Sequence, residues 1–338
     1  VQQFTLLIRK KIMKRNTSIT IFVAGLIITT FFAAAAQAQG VSRGECFPFE
    51  KMPAEQRKAA DELLLKALDE EALYTIVGGL KPMSSGFRSI QIQTGLPRVT
   101  ITEAEAAVGE LGPKKSEELS TEEKSRLSQS KQALERRDAL KKADQTREIL
   151  AQWRCGDELF ADLQHFAKQF DGKRFLDALV INRPRLRTAL TEKADFFSRW
   201  GITANSHPLE VVYAVDTEET SARFAGYGYL FGYPDHAVRF FVQAADEEIF
   251  TGKFVTRDFI SIPTVERETN NFVYVVPKGH VENDADKALK AKAAPILAAY
   301  RTRRAEYIGD GKKGVVEMLR DWFCDSQGRC SPSNAKFD

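Results

Sequence analysis

The sequence predicts an α+β fold, predominantly α-helical, with two short antiparallel β-hairpins and no transmembrane helix once an N-terminal leader is removed. Three observations predict it. Apolar residues recur at helical spacing over most of the chain, two separate places alternate apolar and polar residues about a turn, and no fixed repeat of about 20–50 residues is visible.

The chain opens on an export pattern. Met13-Lys14-Arg15, the apolar run from Ile19 to Phe32 and the small-residue end Ala36-Gln37-Ala38 together read as a secretory leader, with cleavage expected after Ala38. Residues 1–12 precede Met13 and read either as an over-extended start or, with Val1, as a literally translated alternative start codon. The competing reading, an uncleaved anchor, rests on an 18-residue run, against about 20 for a spanning helix. The A-x-A end and the lack of a second apolar stretch favour cleavage. The expected location is therefore secreted or periplasmic, with a membrane as partner only if the leader is retained.

Removing residues 1–38 changes the charge. Five of the 49 basic residues lie there with no acidic ones, which leaves 44 basic against 46 acidic residues. A near-neutral chain with interspersed signs has no long-range attraction for polyanions, so nucleic acid is not an expected partner. Four cysteines remain, and an even number in an oxidising compartment points to disulfides, with three connectivities open. Cys324 and Cys330 would close a short loop around a Gly-containing turn, leaving Cys46 for Cys155.

Three regions follow the leader: a helix and hairpin over 39–112, a long polar helical segment over 113–155, and an α+β domain over 156–338. In the first, Pro53 opens a helix whose Ala60, Leu64, Ala67, Leu68 and Ala72 share a face until Gly78-Gly79. Ser84-Ser85-Gly86 reads as a polar turn. Ile90/Ile92 and Val99/Ile101, alternating on either side of Thr94–Pro97, predict the first hairpin. A weak helix over Glu103–Gly112 ends at Gly112-Pro113.

Ser120-Thr121-Glu122-Glu123 has capping-box spacing for the long polar helix, with Leu127, Leu134, Leu140 and Leu150 as a sparse apolar seam. Helix is expected to resume through Leu159, Leu163, Phe166 and Phe170. Phe175–Ile181 reads as a strand and Pro184–Trp200 as a helix. His207-Pro208 opens another helix, and Pro234 another. The second hairpin is predicted at Phe259–Val265 and Phe272–Val276, followed by helices over Asn283–Tyr307 and Val315–Phe323.

The best candidate site is the segment from Gly226 to His236. Its glycines allow close backbone approach, Tyr227, Tyr229 and Tyr233 could floor a site for a sugar or peptide, and Asp235-His236 lie in a helix first turn. The structural alternative is a tight packing junction between two helices. Only four histidines exist, none at H-x-x-x-H spacing, so no metal ligand is assigned. A set assembled over long separations from His236, Asp235, His280 and Glu282 is chemically feasible but weakly specified. No nucleophile motif such as G-x-S-x-G stands in a persuasive context, and the cofactor is left unknown. The expected function is a non-catalytic exported binding protein for a protein or polymer ligand. The alternative is an exported hydrolase acting on peptide, glycan or ester.

Overall fold

The computed structural model describes residues 40–337 apart from Asn270; the expected leader and its start lie outside the described residues. In chain order the elements are β1 (Val41–Ser42), α1 (Ala54–Asp69), α2 (Leu73–Ile76), β2 (Met83–Gln93), α3 (Ile101–Leu111) and α4 (Thr121–Leu150). They continue with β3 (Leu159–Phe170), β4 (Lys173–Asn182), α5 (Arg183–Glu192), α6 (Ala194–Phe197), α7 (Pro208–Asp216), α8 (Thr220–Leu230) and α9 (Asp235–Thr251). The last are β5 (Arg257–Ile262), β6 (Phe272–Pro277), α10 (Asp284–Tyr307), α11 (Val315–Phe323) and β7 (Arg329–Cys330). This is a mixed α+β fold, mostly helical, with short antiparallel sheets; no helix among the described residues is long and apolar enough to cross a membrane.

The central sheet has the order β2-β4-β3, all antiparallel. Its middle strand, β4, alternates with the two-residue period of a strand between two cores. Leu176, Ala178 and Val180 join the larger core, built with α1, α10 and α11, while Leu179 and Ile181 join a second with α5, α7 and α8. Helices on both faces thus bury a single strand twice. The regions 39–112, 113–155 and 156–338 all contribute residues to the larger core.

Several element expectations are corrected. The first hairpin does not form about Thr94–Pro97: β2 pairs instead with β4, Val99 precedes α3, and Leu96 is 81% exposed. Residues 159–170, expected as helix, form β3, the partner of β4 in a two-residue hairpin. Asp171 and Gly172 both take positive φ there, 55° and 69°, as the turn matching strand twist requires. The second hairpin, β5–β6, forms where expected. Along α4 the buried seam is Ser130, Ala133, Ala143, Thr146, Ile149 and Leu150, with Leu140 outside it, so small side chains let the helix lie close to its neighbours. The helix expected over 184–200 divides into α5, α6 and a 3₁₀ turn.

Both expected disulfides are present, Cys46–Cys155 and Cys324–Cys330, leaving no free cysteine. Such bonds persist in an oxidising compartment. The first joins the N-terminal segment to the chain after α4. Buried Arg320 of α11 reinforces it by donating to the carbonyls of Cys46 and Phe47 and to Glu50.

Candidate functional site

The Tyr/Gly segment is the junction of α8 and α9. A Cβ added at Gly226 would lie 2.7 Å from the Val215 methyls of α7, and one at Gly228 would lie 2.8 Å from a Val238 methyl of α9. These two glycines therefore serve close helix packing. Gly226→Ala is expected to lower the melting temperature, even though Ala is the better helix former by about 1 kcal/mol. A higher melting temperature would show that α7 can move aside.

The three tyrosines do not share one floor. Tyr227 stacks on Phe231 (5.9 Å, 18°), and Phe231 meets Tyr233 at 5.9 Å. Tyr229, on the other side of α8, packs edge-on against Phe196 (5.2 Å) and Phe197 (6.4 Å). Tyr227 donates to Asp216 (2.8 Å) and accepts from Gln164, so its hydroxyl is spent on an internal network. Burial, followed by Asp216, pushes that phenol up, keeping it a donor.

Two cavities flank the junction. An apolar groove of about 230 Å³ is lined by Phe224, Tyr227, Phe231, Tyr233, Phe241 and the β6 valines Val273 and Val275, among others. A second cavity of about 320 Å³ is lined by Tyr229 and Tyr233, with Arg185, Glu192, Lys193, Asp235 and Lys292 in its wall. Asp235 is exposed and ion-paired with Lys193 at 2.6 Å. It belongs to that cavity and not with its neighbour His236.

His236, in the first turn of α9, meets His280 from the loop after β6, the rings stacked at 5.3 Å and 13°. Beside both Nε2 atoms lies Asp286 of α10, fully buried: His280 Nε2 is 2.8 Å from its Oδ2, and His236 Nε2 is 3.1 Å from its Oδ1. The structure thus unites two of the four residues considered for a long-range metal set. Asp286 replaces Asp235, and Glu282 pairs with Lys290.

Asp286 also sits at the third position of α10 in a capping box, accepting from the Asn283 backbone N–H (3.0 Å) while Asn283 accepts from its own (3.1 Å). Tyr274 of β6 donates to Oδ1 at 2.6 Å. Burial pushes the Asp286 carboxyl up, but donation from Tyr274, His280 and Asn283 outweighs it and holds the group below the usual carboxylate range. Asp286 and Tyr274 were missed in the sequence reading; Asn283-x-x-Asp286 carried a cap signal, but nothing local pointed that carboxylate at His236.

The other candidates are structural. His207 caps α7, its Nδ1 accepting from the Leu209 N–H (3.3 Å). His165 lies on β3 between Arg147 (3.0 Å) and Tyr213 (3.2 Å), not on a helix surface. Burial, then Arg147, lowers its pKa. Ser84 is buried in β2 against Thr75 (2.8 Å), so it is no exposed turn nucleophile. Beneath the tyrosines, Lys81 is fully buried, 2.6 Å from Glu71 and 4.4 Å from the centre of the Phe272 ring.

No protein-family model, curated protein or solved structure matches the chain.

Proposed function

We propose that this is an exported, non-catalytic binding protein that takes an apolar or aromatic group of its ligand into the groove between α8, α9 and β6. The observation that carries this reading is the groove's lining: six aromatic residues and two valines of β6 enclose about 230 Å³. Apolar concave surface with few polar groups is the common form of a site that binds by burial. The two disulfides and the leader pattern of residues 13–38 support export.

Titration with N-phenyl-1-naphthylamine, a small apolar fluorescent probe, tests the site. One saturable site is expected, weakened at least about tenfold in Val275→Gln, the equivalent of about 1.4 kcal/mol. Val275 is only partly buried, so its melting temperature should change little. Probe binding that is absent from the unaltered protein, or unchanged in Val275→Gln, would overturn the assignment.

The alternative, an exported hydrolase, has one supporting observation, the two histidines on a buried carboxylate. Turnover of ester, peptide or glycan substrates, lost in His236→Gln, would move the assignment there.

A further inference from the structure

We propose that His236, His280 and Asp286 form a binding site for one divalent first-row transition metal ion. This inference does not depend on the apolar groove.

The donor set is the first argument. Two imidazole nitrogens and one carboxylate oxygen suit zinc, iron and their neighbours, and the three donor atoms all lie within 4.8 Å of one another. For metal–ligand bonds of about 2.0–2.2 Å, tetrahedral geometry separates donor atoms by roughly 3.3 Å. His280 Nε2 lies 2.8 Å from Asp286 Oδ2 and His236 Nε2 lies 3.1 Å from Oδ1, so each imidazole has one carboxylate oxygen slightly inside that edge.

Hydrogen bonding is the second argument. The His236 Nε2 is buried and lies 3.1 Å from Asp286 Oδ1, yet it makes no hydrogen bond. An unpartnered buried nitrogen carries a desolvation cost. A metal ion shared with His280 and Asp286 would engage its lone pair.

The surroundings are the third. Tyr274 donates to Asp286 and the Asn283 N–H does the same, so the carboxylate is oriented by groups that would remain in place behind a metal. The ligands come from the start of α9, the turn after β6 and the first turn of α10, three separately anchored elements. The His236 and His280 side chains are 22% and 15% exposed, so the cluster lies near the surface although Asp286 is fully buried. Three protein ligands would leave a coordination position for water or a ligand atom.

The test uses protein stripped with EDTA and titrated with Zn²⁺ by calorimetry, and with Co²⁺ by visible absorption. One Zn²⁺ per chain with submicromolar affinity is expected. His236→Gln and His280→Gln should each weaken binding more than about 100-fold, whereas Tyr274→Phe, which removes only a supporting donor, should weaken it about 10–100-fold. The intact protein provides a readout that no variant can confound: Co²⁺ should give the intense visible bands of a four- or five-coordinate site with nitrogen ligands. Sub-stoichiometric Zn²⁺, a Co²⁺ spectrum like that of the aqueous ion, or affinity unchanged in His236→Gln and His280→Gln would each overturn the proposal.

Discussion

Replacing Glu71 by Gln is expected to destabilise the protein by about 3–5 kcal/mol, while Lys81→Met should cost little or stabilise it. Lys81 is the reason. Its side chain is wholly buried, its Nζ lies 2.6 Å from Glu71 Oε2, and the Phe272 and Phe231 rings stand 4.4 and 5.5 Å from it. Removing the carboxylate strands an ammonium among aromatic rings. Removing the ammonium instead leaves a partly exposed carboxylate that water can reach, and Met fills the same space.

The same pair gives a pH signature. Burial pushes the Lys81 pKa down, with Glu71 opposing, so the folded protein releases this proton at lower pH than the unfolded chain, where lysine titrates near ~10.4. Between those two values the unfolded state holds more protons, and stability rises with pH. Urea unfolding across the alkaline range should show this contribution in the unaltered protein and lose it in Lys81→Met. Identical pH profiles for the two proteins would mean that Lys81 keeps its ordinary proton affinity inside the fold.

Loss of the Cys46–Cys155 bond should cost about 5 kcal/mol, roughly twice the loss for Cys324–Cys330. The two close loops of sequence separation 109 and 6, and in the chain-entropy treatment the longer closure removes more freedom from the unfolded chain. The Cys46 segment is also held by Arg320, so the folded form should survive as a less stable species. Denaturant midpoints of the double Ser variants at each pair check the ratio. Equal losses would show that native-state contacts, not loop length, set these contributions.

Much of the helical architecture was legible because its signals are local. Ser120 with Glu123, Asn283 with Asp286, and Pro208 after His207 are caps and starts written within one turn, and all three helices begin there. Residues 159–170 were misread because Leu159, Leu163, Phe166 and Phe170 imitate helical spacing. The decisive signal was Asp171-Gly172, a hairpin turn set between apolar runs. The pairing of β2 was not legible in the same way. Its partner is β4, chosen across the intervening α3 and α4, and a strand's outward hydrogen-bonding groups do not encode which distant strand will meet them.

The sequence by itself determined the fold class from local periodicity and the disulfide pairs from an even cysteine count and one short loop that left Cys46 for Cys155, and it singled out the α8–α9 junction as a candidate. Only the tertiary structure decided what that junction contains. Gly226 and Gly228 proved to be contact points for Val215 and Val238, Tyr229 turned away from Tyr227 and Tyr233, and Asp235 parted from His236. Successive residues on a helix point about 100° apart, so neighbours in sequence face different surroundings. Conversely, His236, His280 and Asp286 meet because α9, the turn after β6 and α10 converge, and that convergence is set by the packing of whole elements rather than by any spacing along the chain.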